Sequence, residues 1–218
     1  MSDTKKRIRE AALSLFNTQG LVNVRLQHIA DGAGMSVGNL AYHYRNKETI
    51  VAALYQELSQ QLRDLMKEFQ IVPLFEHWNR QILQTYGFQS HYIFFFLDTL
   101  EIIRAYPAIG RSYRAYLHWQ EAQLRQSLEF NVARGALIPP PFPEAYSQLA
   151  RHIRASQDGW FTRRIICEEA SLDQEAYAAD TWSLIRPFFT PMGEREFAQI
   201  HLPLYDPTWL SQPGPSDS

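Results

Sequence analysis

Apolar residues recur three and four positions apart along nearly the whole chain, which is the spacing of amphipathic helices. The first such run, at residues 4–19, begins at the potential helix cap Thr4 and is followed by Gly20, a residue typical of helix C-termini. No segment alternates apolar and polar residues between hairpin turns, as a half-buried strand would. The pattern therefore predicts an all-α protein.

Two short helices are predicted next, at 23–33 and 36–44, with Gly34 between them. A longer helix is expected from Asn46 to about residue 70, where Pro73 stops it. Beyond this point the chain is rich in aromatic residues. Further helices are predicted at 74–87, 91–105, 107–134, 144–170 and 173–189.

These elements predict two domains and a tail. Residues 1–50 form the head, a three-helix domain, and residues 51–200 form the body, a helical bundle whose first helix begins at about residue 46. The stretch GALIPPPFP, residues 135–143, is the clearest connector, and Pro187 is expected to end or kink the last helix. The Pro- and Ser-rich residues 201–218 are expected to be a flexible tail.

The charge is unequally divided between the two domains, although the net charge is only −2. Residues 1–50 hold seven Lys and Arg against four Asp and Glu, a net charge of +3. The other 168 residues hold fourteen against nineteen, a net charge of −5. A basic domain on an acidic one is expected when only the first meets a polyanion.

Several classes of protein are disfavoured by what the sequence lacks. The N-terminus has no continuous apolar segment typical of a signal peptide, and the longest apolar run, YIFFFL, is far shorter than a membrane span. We therefore expect a cytoplasmic protein with no membrane partner. The single cysteine, Cys167, cannot form an internal disulfide and is expected to be a buried apolar residue.

Chemical motifs are missing as well. There is no GxSxG, P-loop, HExxH or post-strand GxGxxG motif, so we expect no enzyme activity and no cofactor. The histidines have no spacing typical of a metal site, so none is predicted.

The stretch GMSVGNLAYHYRNKETI, residues 34–50, gives the two short helices the organisation of a helix-turn-helix unit. In such a unit the second helix enters the major groove and its N-terminal residues face base edges. Gly38 would permit close approach, Val37 could contact a thymine methyl group, and Asn39 could pair with adenine. Asn39 could equally be a solvated polar residue.

The C-terminal part of the same helix is expected to meet phosphates. Tyr42 and His43 lie on its outward side, and Lys47 would complete an anion site with the free amides of the next helix. Tyr44 follows Leu40 by four positions and is expected to be a core residue. The residues predicted to bind DNA are Arg25, Ser36, Val37, Gly38, Asn39, Tyr42, His43 and Lys47.

The segment IADGAGMSVGNLAYHYRNKETI resembles the tetracycline-repressor (TetR) family, whose pattern is IA..AGVS.G.LYYHF..KE.L. The resemblance covers roughly residues 5–55 and implies a homodimeric, all-helical regulator with a DNA-binding head and a ligand-binding body. The family's DNA-contact positions correspond to Ser36, Gly38, Tyr42, His43 and Lys47. Arg25, Val37 and Ala41 depart from the family pattern, so DNA preference is expected to differ there.

The aromatic residues of the body suggest a cavity for a planar or lipophilic effector, although an ordinary helical core is an equal alternative. The predicted pocket residues are Phe69, Trp78, Tyr86, Tyr92, Phe96, Tyr113, Tyr116 and Trp119. In the family the last two helices pair with a second copy. The predicted dimer residues are Trp160, Phe161, Trp182, Phe188 and Phe189.

The sequence therefore predicts a ligand-responsive repressor that binds a palindromic operator as a homodimer. In this hypothesis an effector shifts the helix at 46–70 and changes the spacing of the two recognition helices. The alternative is a helical DNA-binding or scaffolding protein whose body binds a protein partner and no small molecule.

Overall fold

The computed structural model describes residues 3–68, 73–169 and 172–200, and every extended regular element in these ranges is helical. The all-α prediction is confirmed. Phe69 and the predicted tail at 201–218 lie outside the described residues. The α-helices are α1 Asp3–Gln19, α2 Leu26–Gly32, α3 Val37–His43, α4 Lys47–Glu68, α5 Phe75–His91, α6 Ile93–Leu97, α7 Thr99–Ala105, α8 Pro107–Ala133, α9 Ala145–Ile166, α10 Gln174–Ile185 and α11 Pro191–Phe197.

The core of the head continues into the body without a boundary. Ile8 and Phe16 of α1 are buried together with Leu40 of α3 and with the inner faces of α4, α6 and α8. The rings of Phe16 and Phe94 lie 5.3 Å apart, which joins α1 to α6. A displacement of α6 would therefore be transmitted to the head by direct contact with α1 as well as through α4.

A second core lies between α5, α8, α9 and α10. Its centre is Tyr177, which is fully buried and donates from its hydroxyl to Gln89 Oε1 at 2.9 Å. Trp182 packs against both Phe75 and Trp78 and donates from Nε1 to Asn79 Oδ1 at 3.0 Å. Each of these buried polar groups thus has a partner, as burial requires.

Apart from shifts of a few residues at helix ends, the structure differs from the predicted helices in two places. The helix predicted at 91–105 is divided at Asp98, because α6 ends there and the Asp98 carboxylate turns towards the head. Helix α11 was not predicted. Thr190 caps it by accepting from the amides of Met192 and Gly193 at 3.2 Å, and Pro191 occupies its first turn.

Helix α11 is fastened to the second core by Glu196. Its carboxylate accepts from the amide of Phe75 at 2.9 Å and pairs with Arg134 at 2.6 Å. Gly193 is required here, since a Cβ would lie 2.3 Å from the carbonyl oxygen of Ala136. The last helix therefore joins the start of α5 to the end of α8.

Cys167 is exposed, so the expectation of a buried thiol is wrong. The reason is local: α9 ends at Ile166, and Cys167 is the residue that terminates it. The 3₁₀ turn Arg186–Phe188 follows α10 at Pro187, where the sequence predicts the helix to end or kink.

Candidate nucleic-acid interface

The turn between α2 and α3 is built around Gly34, whose φ is +64°. Only glycine adopts this conformation without strain. The amide of Gly34 donates to Asp31 O at 3.0 Å, and Arg7 of α1 donates from Nη2 to Ala33 O at 2.6 Å. The turn is therefore closed from within and fastened to α1, which fixes the angle between the two helices.

Helix α3 is anchored at both ends. At its start the Ser36 hydroxyl oxygen accepts from the amide of Asn39 at 3.2 Å, a helix cap. Leu40 is fully buried, and Tyr44 at the end of the helix is only 8% exposed. The predicted core position of Tyr44 is confirmed. The opposite face of α3 is left to solvent, with Gly38, Asn39, Ala41 and Tyr42 all exposed.

Gly38 has no structural reason to be glycine. A Cβ built on it would meet only Ser36 Oγ, at 3.9 Å, and its φ is ordinary for a helix. Glycine inside a helix is less stable than alanine by about 0.5–1 kcal/mol. A glycine that costs stability on an exposed face is understandable if something outside the chain must approach the backbone there.

Tyr42 is the most exposed large hydrophobic residue in the described part of the head, at 85%. Its ring meets His43 edge to face, with ring centroids 5.2 Å apart. The exposed phenol of Tyr42 and the half-buried imidazole of His43 lie side by side at the end of α3, and both groups can donate to phosphate oxygens.

Tyr44 connects α3 to a buried arginine. Arg9 of α1 donates from Nη1 to the Tyr44 hydroxyl at 2.9 Å and pairs from Nε with Glu57 of α4 at 2.7 Å. The Arg9 side chain is 8% exposed, and these hydrogen bonds raise its pKa against the cost of burial. This arrangement joins α1, α4 and the end of α3, and so fixes the orientation of α3 relative to α1 and α4.

Lys47 has an internal role that the sequence did not indicate. Its Nζ donates to Leu21 O at 2.9 Å and to Val24 O at 3.0 Å, and burial lowers its pKa. An ammonium has three donors, so one remains for a phosphate. The phosphate contact stays a prediction, but Lys47 first of all holds the loop between α1 and α2.

Arg25 and His28 lie together at the exposed start of α2. The amide of Arg25 donates to His28 Nδ1 at 3.3 Å, so in the neutral imidazole the proton is on Nε2, which can donate outward. Sequence reasoning passed over His28. Its position could have indicated this role, because His28 lies three residues after Arg25, the residue that precedes α2, which is the spacing of a capping box.

The predicted aromatic pocket does not form as one cavity. Between α5, α8, α9 and α10 lies a cavity of about 40 Å³, and of the predicted residues only Trp78 lines it. Tyr86 stacks on Phe161 instead, with ring centroids 5.5 Å apart. The remaining described members contribute to the first core: Tyr92, Phe96, Tyr113, Tyr116 and Trp119. Aromatic side chains here pack mainly on one another.

Three of the predicted dimer residues are buried within the single chain, and their contact with a second copy stays a prediction. Trp160, Phe161 and Trp182 are at most 5% exposed within the single chain. Phe188 and Phe189 are half-buried against the same second core. The apolar face of α9 and α10 thus turns inward, and any interface on these helices would use their outer face.

Two further searches concern the described residues only. No group of three or more His, Cys, Asp or Glu within them could hold a metal ion. Among the helices in the described ranges, none combines the length and the hydropathy needed to cross a membrane.

The fold and the exposed face of α3 define a helix-turn-helix DNA-binding protein. The model of the family described as bacterial regulatory proteins of the tetR family matches residues 8–54, and the model described as a bacterial transcriptional repressor matches residues 54–197. The chain belongs to the TetR family of DNA-binding transcriptional regulators, which are not enzymes.

Similar proteins of known sequence match over a short part of the chain. The regulator RutR of Escherichia coli K12 is 38% identical over 58 residues, and AcrR of Shigella flexneri is 28% identical over 68 residues. These matches cover 27% and 31% of this chain, and less than a third of the relatives' own length, 27% and 32%.

Similar solved structures extend over both domains. A TetR-family regulator from Marinobacter aquaeolei VT8 has a TM-score of 0.82 at 23% identity and covers 91% of this chain and 97% of its own. SmeT of Stenotrophomonas maltophilia, the repressor of a multidrug efflux pump, has a TM-score of 0.64 at 15% identity, with 93% and 98% covered. At these identities the likeness shows the fold alone.

Proposed function

We propose that this regulator is a repressor that binds a palindromic operator as a homodimer and releases it when a small molecule binds in the body. The observation that supports DNA contact through α3 most directly is the open, helical Gly38 beside Asn39 on the exposed face. The capped start of α3 aims this face outward. Arg25, His28, Tyr42 and His43 supply the surrounding groups for phosphates.

Base-reading and phosphate contacts can be separated by salt dependence. Arg25→Ala is expected to weaken binding to all DNA sequences alike and to reduce the slope of log affinity against log salt by about 1. Asn39→Ala is expected to cost about 1–3 kcal/mol at one base pair and to leave the salt slope unchanged. Fluorescence anisotropy with the DNA upstream of the gene, at several salt concentrations, measures both.

The control for these variants is Arg80→Ala. Arg80 lies on the exposed side of α5 and pairs with Glu76 at 3.5 Å, far along the chain from the head. Its removal changes the net charge as Arg25→Ala does. If Arg80→Ala lowered the salt slope equally, the charge of the whole chain, and not a phosphate contact, would explain the effect.

A twofold assembly would use the outer face of α9 and α10. Ala155, Ser156 and Gly159 of α9 line a groove there together with Ser183 and Leu184 of α10. The other residues that line this groove are Trp160, Arg163, Arg164, Glu169 and Asp180. Small side chains allow two helices to approach closely, and two short recognition helices give a specificity that one cannot. The groove is therefore the proposed dimer interface.

The dimer proposal predicts that Ala155→Arg produces a monomer, because a long side chain would keep the α9 helices of two copies from approaching closely at the small residues of the groove. Light scattering coupled to size-exclusion chromatography measures the mass. Ala115→Arg, at an exposed position of α8, is the matched control and is expected to leave the mass unchanged. A dimer that survives Ala155→Arg would place the interface elsewhere.

A further inference from the structure

Helix α3 has little packing of its own to hold it in one orientation. Among its residues Val37–His43, all of which the structure describes, only Leu40 is buried. Residues 44–46 connect α3 to α4, and the first of them, Tyr44, has an extended backbone with φ −138° and ψ 108°. A short helix on a short extended connection needs a further contact to keep its direction fixed.

Arg9 supplies this contact from inside the head. Its Nη1 donates to the Tyr44 hydroxyl at 2.9 Å, and its Nε pairs with Glu57 Oε1 at 2.7 Å. Glu57 lies about three turns into α4. These two contacts, the Arg9 bridge, therefore connect the end of α3 to the side of α4 independently of the chain between them.

Stability alone does not explain the Arg9 bridge. The side chains of Arg9 and Glu57 are only 8% and 30% exposed, so both charges lose most of their contact with water. Burial raises the pKa of Glu57 although the attraction of Arg9 opposes the rise, so for this carboxyl the loss of solvent outweighs the pairing. Apolar residues of similar volume are often as stable in place of a buried ion pair, or more stable.

The bridge ends beside the residues that are expected to contact DNA. Tyr42 and His43 immediately precede Tyr44, and the exposed Asn39 lies earlier on the same helix. Hydrogen bonds to base edges require accurate placement, whereas phosphate contacts form on DNA of any sequence. We propose that Arg9 is a positioning residue for DNA recognition, which through Tyr44 holds α3 in the orientation that discriminates the operator from other DNA.

This role rests on the proposed function, because α3 can discriminate only if an operator exists. The quantity to measure is the ratio of two affinities, for the DNA upstream of the gene and for a random duplex of equal length, by fluorescence anisotropy. Tyr44→Phe removes the hydroxyl that Arg9 bonds and keeps the ring. It is expected to lower the ratio about tenfold, the effect of one good base contact, with binding to the random duplex unchanged.

Tyr55→Phe is the matched control. Tyr55 is a buried tyrosine of α4 whose hydroxyl donates to Ser112 Oγ of α8 at 3.2 Å. Both variants remove one phenol hydroxyl and its hydrogen bond, so both are expected to lower the melting temperature. Only Tyr44→Phe is expected to lower the affinity ratio, and equal ratios in the two variants would overturn the role of Arg9.

A triple variant separates positioning from stability. Arg9→Met, Tyr44→Phe and Glu57→Leu together replace the bridge by apolar side chains of similar size and leave no buried charge unpaired. The melting temperature is expected to be unchanged or higher, whereas the affinity ratio is again expected to fall about tenfold. A bridge that only stabilised the fold would give the opposite result, a ratio that recovers together with the melting temperature.

The unaltered chain distinguishes this failure from that of the proposed function. If it bound upstream DNA and the random duplex equally, the proposed function would fail before any variant was made. If it preferred upstream DNA and the folded triple variant showed the same preference, the proposed function would stand and Arg9 would have no positioning role. Should the triple variant show no melting transition, the comparison of Tyr44→Phe with Tyr55→Phe decides.

Discussion

Gly38→Ala is expected to weaken operator binding by about tenfold to a hundredfold and to leave the fold intact. Gly38 lies on the exposed face of α3, and a methyl group there meets nothing within the chain closer than Ser36 Oγ at 3.9 Å. In a DNA complex the same methyl group would stand between the helix backbone and the groove. The expected loss equals one good base contact, about 1–3 kcal/mol.

The same substitution is expected to raise the free energy of unfolding by about 0.5–1 kcal/mol, because alanine is the better helix former. Urea unfolding and anisotropy on one preparation give both quantities. Ser14→Ala, at an exposed position of α1, is the control: it should leave DNA affinity unchanged and raise the free energy of unfolding by no more than about 0.5 kcal/mol, the helix-propensity gain of alanine over serine. Unchanged DNA affinity in Gly38→Ala would show that α3 does not approach DNA through this residue, and lower stability would make the glycine structural.

The head was predictable because its pattern is local. Leu40 and Tyr44 are four positions apart and mark the inward face of α3, and Ser36 lies directly before the helix that it caps. Gly34 stands where the chain needs a positive φ. The contacts that hold this unit to α1 were not predictable, since Arg9 meets Tyr44 across 35 positions in sequence.

The body was harder to predict because apolar periodicity identifies the covered face of a helix but not what covers it. Trp160 and Trp182 were assigned to a second copy, whereas the inner face of the same chain buries them. The cavity was sought among aromatic residues, which pack on one another. The residues that distinguish this cavity from the surrounding core are polar. A charged residue, Arg154, next to the buried Ile153 of α9 could have indicated its position.

The predicted path from effector to DNA through α4 stays a prediction, and the contacts of α6 offer a second route. The hypothesis used α4 alone, but α6 contacts both α9 in the body and α1 in the head. The Asn17 side chain donates to His91 O at 2.9 Å and accepts from the Phe94 amide at 3.2 Å, so it spans the break between α5 and α6. At the other end of α6, Asp98 Oδ2 accepts from the Leu21 amide at 2.8 Å. Both ends of α6 are thus hydrogen-bonded to the head.

Asp98→Ala is therefore expected to loosen the head at a distance from α3. The loop after α1 is held from two sides, by Asp98 at the amide of Leu21 and by Lys47 at its carbonyl. Losing a half-buried hydrogen bond to a carboxylate is expected to lower the free energy of unfolding by about 1.5 kcal/mol. Hydrogen exchange at Leu21 should accelerate, and operator affinity should fall several-fold because α2 follows this loop.

Glu101→Ala is the matched control, since Glu101 is an acidic residue of the next helix turn. Its side chain is 58% exposed and pairs only weakly with Arg104, at 3.4 Å. An exposed pair of this kind contributes little, so a change within about 0.5 kcal/mol is expected. If Leu21 exchanged equally slowly in both variants and operator affinity were the same, α6 would not connect the body to the head. Coupling would then have to pass through α4, whose Glu57 pairs with Arg9 of the head.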